Sequence, residues 1–133
     1  MQNAGLTRRE KECLFAVKKL DSDFPPRIIS IAKETKIKPP TAYNLLKRLS
    51  DKGLIEESKG MVKVTDKGNA AYKEIMMAHR CIELIFSRAG IPKDCACREA
   101  EKIDYMLKPE YVKLLFKSLG MPKNCPHGKP IVV

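Results

Sequence analysis

Apolar residues recur in three short helical stripes along the first third of the chain. Thr7 followed three residues later by Glu10 has the form of a capping box, so a helix is expected to begin at Thr7. Cys13, Leu14, Val17 and Leu20 share one face of it, and Asp21, Ser22 and Asp23 end it. Pro25 and Pro26 are read as opening a second short helix that turns Ile28, Ile31 and Ala32 inward. After a turn at Lys36, Ile37 and Lys38, Pro39 and Pro40 start a third helix running to about Lys52. Its Ala42, Leu45, Leu46 and Leu49 keep the i, i+3, i+4, i+7 spacing, and Gly53 stops it. Two extended runs, 54–57 and 61–65, flank a turn at Ser58, Lys59 and Gly60 and predict a β-hairpin.

From Asp66 the pattern is helical again, through a long segment ending near Ala89 and Gly90. A further helix is predicted over about 94–107, and Pro109 opens a last one finishing at Leu119 and Gly120. The tail, 121–133, carries three of the nine prolines and is expected as an irregular strap. This order predicts a mainly α protein: a winged helix-turn-helix with a small β-hairpin wing over 1–68, then a helical dimerisation domain over 69–133.

Polar positions of the third helix give that fold a use. Its apolar stripe leaves Pro40, Thr41, Tyr43, Asn44, Lys47 and Arg48 on the other face, with Lys38 just before it. Thr can touch a thymine methyl, Asn can pair with adenine, and Lys or Arg can reach guanine or phosphate. Lys59 at the hairpin tip and Lys63 on the return strand suit a wing lying on the DNA backbone. Residues 27–67 hold ten basic and five acidic side chains, a net of +5, within a chain of net +10. A surplus of that size favours a polyanionic partner. One recognition helix per chain implies a homodimer on a two-fold site in double-stranded DNA.

The five cysteines, Cys13, Cys81, Cys95, Cys97 and Cys125, are odd in number and follow a polar, charged amino terminus. A reducing cytoplasm with free or metal-bound thiols is the expectation, and no apolar run approaches the roughly 20 residues of a membrane span. In the second half, His79 and Glu83 are four apart and share a helix face. Cys97, Glu101, Asp104 and Tyr105 are spaced to share a face of the next helix, and Glu12 lies on the first. Imidazole with carboxylates suits Mn²⁺ or Fe²⁺, and a thiolate draws preference toward Zn²⁺, Co²⁺ or Ni²⁺. Each element also has a plain structural reading, as a solvated helix face or a small core thiol. An alternative set, Cys95, Cys97, Cys125 and His127, could hold zinc or an iron–sulfur cluster, or Cys95 and Cys97 could sense oxidants without metal. No nucleophile motif or phosphate loop accompanies these residues, so an enzyme with a small-molecule substrate is not expected.

Over 7–131 the chain resembles the iron- and manganese-dependent repressor family that includes the diphtheria toxin repressor and the manganese transport regulator. The runs that carry the resemblance are P-P-T-A-Y-N-L-L-K-R-L-S-D-K-G-L-I, V-T-D-K-G, A-H-R-C-I-E-L-I-F, A-E-K-I-D-Y-M-L and N-C-P-H-G-K-P-I. It implies a dimeric repressor that takes Fe²⁺ or Mn²⁺ at Glu12, His79, Glu83, Cys97, Glu101 and Asp104. The ion then links the first helix to the dimerisation helices. Cys97 stands where iron-type members have His, and Glu101 where manganese-type members have Glu. Tyr105 stands where the family has His, and Phe15 where manganese-type members have a carboxylate, which implies that one family site is altered. Longer members continue into an SH3-like domain, so the helices are expected to supply the ligands.

Overall fold

The structure is a computed structural model that describes residues 5–131 and resolves into two compact units, Leu6–Tyr72 and 73 onward. Residues 1–4 of the 1–68 segment and 132–133 of the 69–133 segment lie outside the described residues. No helix of the described residues is long and apolar enough to cross a membrane.

The first unit is a winged helix-turn-helix. Helix α1 (Arg8–Leu20) starts on the expected capping box: Glu10 N donates to Thr7 Oγ1 at 3.2 Å, and Thr7 N donates back to Glu10 Oε1 at 2.9 Å. Helices α2 (Ile28–Thr35) and α3 (Pro39–Asp51) pack on it, joined by a turn in which Lys36 takes the left-handed conformation at φ 58°. Strands β1 (Ile55–Ser58) and β2 (Met61–Val64) pair antiparallel, Ile55 opposite Val64. Both loop residues, Lys59 and Gly60, have positive φ, the geometry whose twist matches a tight hairpin. Leu14, Ile31, Leu46, Leu49, Leu54, Ile55 and Val62 form the core and are essentially without exposure.

The second helix corrects one expectation. It begins at Ile28, and Pro25 and Pro26 lie outside it. A residue preceding proline is driven to extended backbone. The segment instead joins the wing: Val62 N donates to Pro26 O at 2.8 Å, and Arg27 bridges Met61.

Helix α4 (Asp66–Arg88) opens where Thr65 Oγ1 accepts from Gly68 N at 3.1 Å while its hydroxyl donates to Gly53 O at 2.6 Å. Gly68 is required there, because a Cβ would meet the Leu54 carbonyl oxygen at 2.0 Å. The second unit adds α5 (Lys93–Glu101), α6 (Pro109–Ser118) and a strap folded back by an Asn124–Pro130 bridge. Ala78, Cys81, Val112, Cys125 and Ile131 form its core, with Phe116 and Leu119 at the edge.

The helix expected over 94–107 is also corrected. It ends at Glu101 in bonds of the three-residue kind, Lys102 N to Glu99 O and Ile103 N to Ala100 O. Residues Asp104–Met106 then form one 3₁₀ turn. Asp104 therefore does not continue the face that bears Cys97 and Glu101. It is carried inward, to 1% exposure.

Candidate metal centre and nucleic-acid interface

On α3 the expected division of faces is present. Ala42, Leu45, Leu46 and Leu49 are buried, while Pro40, Thr41, Tyr43, Asn44, Lys47 and Arg48 are exposed, as are Lys38, Lys59 and Lys63. The amphipathic spacing produces this, since the residues that close the core leave the polar ones on the opposite face. Sequence reasoning did not single out the pairing of Glu10 with Lys52, which fastens the start of α1 to the end of α3. Lys52 Nζ donates to both Glu10 carboxylate oxygens, at 3.0 and 2.9 Å, although Glu10 is only 1% exposed. Burial alone would raise the Glu10 pKa. The backbone bond from Thr7 and the bonds and charge of Lys52 outweigh it and hold the carboxyl below its ordinary value.

In the second unit, His79 lies at the centre of a buried polar group. Its Nδ1 meets Asp104 Oδ2 at 3.0 Å, and its Nε2 lies 2.9 Å from Glu83 Oε1 and 3.5 Å from Cys97 Sγ. His79 and Glu83 sit one turn apart on α4, and both bring a ligand atom close to Cys97 of α5. Asp104 thus occupies the nitrogen opposite the Cys97 and Glu83 side and is not one of the donors grouped there. With Nδ1–H donated to it, the imidazole presents a lone pair on Nε2.

Glu83 divides its two oxygens. Oε1 faces His79, and Oε2 accepts from His127 Nδ1 at 2.7 Å; the other nitrogen of His127 is 3.2 Å from Asp94 Oδ1. Hydrogen bonds to Asp94 and Glu83 push the His127 pKa up. Two donor sets result, His79, Glu83 and Cys97, and Glu83, Cys125 and His127, each with one ligand atom per residue within 4.8 Å of the others. Among the described residues neither set includes Cys95, which instead accepts from Arg98 at 3.3 Å, so the C-x-C pair is divided. Glu101 is exposed at the end of α5, and its charge reaches Cys97: burial, then Glu83, then Glu101 push that thiol upward. Glu12, in the first unit, is paired with Arg8 and Arg9 on its own helix. Tyr105 is half-buried.

A divalent cation suits the first set. Glu83 is 3% and His79 6% exposed, so a carboxylate and a thiol converge with an imidazole nitrogen away from water. Bonds of about 2.0–2.3 Å in a tetrahedral site separate ligand atoms by roughly 3.3–3.6 Å. The 3.5 Å between Cys97 Sγ and His79 Nε2 already matches that spacing. The C-P-H-G run held the signal for His127, but its spacing to Glu83, 44 residues away, could not show the contact.

Residues 65–132 match the family described as iron dependent repressor, metal binding and dimerisation domain, and residues 1–77 match the sugar-specific transcriptional regulator TrmB. Comparison with the curated proteins found no match. Among solved structures, the hypothetical protein SSo2273 from Sulfolobus solfataricus is 34% identical. The match covers 96% of this chain and 100% of that one, with a TM-score of 0.87. Zinc-bound ScaR is 25% identical over 93% of this chain and 58% of its own, with a TM-score of 0.74. IdeR of T. acidophilum, 22% identical over 96% of this chain and 60% of its own, shares the fold at a TM-score of 0.70. The chain therefore spans about 58–60% of the length of those two proteins. Its mainly helical winged helix-turn-helix fold, its full-length counterpart and the match over its second unit place the chain in the iron-dependent repressor family of metal-dependent transcriptional regulators.

Proposed function

We propose that the protein is a transcriptional repressor, not an enzyme, that binds a two-fold DNA operator as a homodimer when a divalent metal ion is bound. The observation that carries this is the buried His79, with Nδ1 held by Asp104 and Nε2 facing Glu83 and Cys97, in a chain of this family. His79 Nε2, Glu83 Oε1 and Cys97 Sγ are the proposed ligands, and Asp104 orients the imidazole. Glu101 neighbours Cys97 and is proposed to complete the set. Glu12 is included on the strength of the family resemblance. A bound cation would supply positive charge that like-charged carboxylate and thiolate groups can share. Of the family's two ions, Fe²⁺ fits a set containing a thiolate better than Mn²⁺, and Zn²⁺, Co²⁺ and Ni²⁺ are further candidates.

The chain's own residues do the rest. Exposed Thr41, Asn44, Lys47 and Arg48 read the major groove, and Lys59 and Lys63 contact phosphate. Met106, Tyr111 and Leu114 of the second unit are 63%, 56% and 61% exposed, apolar area that pairing with a second copy would cover. Metal can shift the DNA-binding equilibrium only by binding the DNA-competent form more tightly. Electrophoretic mobility shifts with chelator and with Fe²⁺, Mn²⁺, Co²⁺ or Zn²⁺ test the reading. Operator retention should require metal in the wild type and be lost in His79→Ala and Glu101→Ala, with weak nonspecific binding intact. Retention that ignores chelator would refute it.

A further inference from the structure

We propose that Thr65 and Lys67 are positioning residues that hold the end of the recognition helix α3 to the start of α4, and that this joint passes metal loading to the DNA-reading face. The coupling to metal rests on the function proposed above, whereas the joint itself is independent of it.

Three consecutive carbonyl oxygens follow the end of α3, and the residues that open α4 occupy all three. Lys67 Nζ donates to Lys52 O at 3.0 Å, Thr65 Oγ1 donates to Gly53 O at 2.6 Å, and Thr65 N donates to Leu54 O at 3.1 Å. Carbonyls at a helix end lack helical partners, so the segment that supplies the donors fixes where that end lies. The Thr65 hydroxyl serves both helices, since its oxygen also accepts from Gly68 N in the first turn of α4. Gly68 lies against the Leu54 carbonyl closely enough to exclude a Cβ, and Leu54 is fully buried.

Three helices meet at Lys52. Its ammonium is held by Glu10 of α1, its carbonyl by Lys67 of α4, and its own N–H donates to Arg48 O at 3.1 Å. Lys47 and Arg48, on the exposed face of α3, are thus about one turn from the joint. Helix α1 grips α4 just beyond it: Lys18 Nζ donates to Asn69 Oδ1 at 2.7 Å, and the Phe15 and Tyr72 rings are 4.8 Å apart. The same α4 carries His79 and Glu83. A displacement of α4 on metal loading is therefore passed to α3 through hydrogen bonds rather than through a slack linker.

The test uses the full chain, metal-free and loaded with Zn²⁺, on an operator selected from random duplexes and on a duplex of unrelated sequence. Thr65→Val keeps the side-chain volume and loses the hydroxyl, and Lys67→Met keeps the length and loses the donor. Both should bind Zn²⁺ with wild-type stoichiometry and affinity, yet gain about tenfold less operator affinity on loading than wild type. Their affinity for the unrelated duplex should be unchanged. Thr65→Ser and Lys67→Arg, which restore a donor, should recover the gain. A full wild-type gain in both Thr65→Val and Lys67→Met overturns the proposal. An equal fall on both duplexes also overturns it, because lost charge or lost folded protein would weaken them alike. If wild type shows no gain on loading, the metal reading fails and the joint is judged on the metal-free preference for operator over unrelated duplex. A reduced preference in both variants upholds the positioning role, and an unchanged one removes it.

Discussion

Asp104 holds the Nδ1 edge of His79 at 3.0 Å, and both side chains are buried. A carboxylate behind a ligating imidazole fixes its tautomer and ring plane. Its loss typically lowers metal affinity about 10- to 100-fold. Asp104→Ala should show a loss of that size in competition with a chromophoric chelator. Asp104→Asn, which keeps an acceptor oxygen, should recover part of it. Unchanged affinity in Asp104→Ala would mean that the contact does not orient a ligand.

Lys52 and Glu10 offer a stability test. Lys52→Met removes the cation from a carboxylate that is 1% exposed. Because Lys52 itself is partly exposed, the cost is about 1–2 kcal/mol in urea unfolding, below that of a fully buried pair. The pH dependence has a definite sign. The folded-state pKa of Glu10 is lowered, so its contribution is fully present above the unfolded value of about 4.3 and is lost as pH falls through the folded value. Acid unfolding followed to about pH 3 should be less steep in Glu10→Gln than in wild type. Equal slopes would remove Glu10 from the acid transition.

Gly68→Ala places a methyl group where the Leu54 carbonyl oxygen would be 2.0 Å away. The Leu54 carbonyl is backbone and the Val64 Cγ1 would be 2.8 Å away, which leaves little room to relax, and a loss of about 3 kcal/mol is expected in thermal or urea unfolding. A near-neutral substitution would show that the junction of wing and α4 is loose.

The five thiols should separate by reactivity. Burial first of all pushes Cys13 and Cys81 up to about 11, and both are fully buried. An alkylating reagent at neutral pH should label half-buried Cys95 first and leave Cys13 and Cys81 intact until unfolding. Bound Zn²⁺ should protect Cys97. Labelling of Cys81 as fast as Cys95 in folded protein would contradict this packing.

The two basic surfaces should fail differently on DNA. Lys59→Ala should weaken binding across all sequences and reduce the salt slope by about 1, as expected for one lost phosphate contact. Asn44→Ala should cost about 1–3 kcal/mol on the operator and relax preference at one base pair. A Lys59→Ala effect confined to one operator would reverse those roles.

Local rules were enough for the winged helix-turn-helix. Thr7 and Glu10 announced the start of α1, and the stripe of Ala42, Leu45, Leu46 and Leu49 fixed which side of α3 faces outward. Short-range hydrogen bonds and helical periodicity act within a few residues, so one strand of sequence contains them. Periodicity failed at two places where distant contacts compete with it. Pro26 and Arg27 pair with the wing, and the helix expected through Leu107 stops at Glu101, letting Asp104 turn in toward His79. The metal-binding residue types were visible in the chain, but their grouping was not. His79 meets Asp104 across 25 residues, and Glu83 meets His127 across 44. Only the tertiary folding that sets α5, the turn at Asp104 and the strap beside α4 brings those side chains within bonding distance, because burial acts on surfaces without regard to their separation along the chain.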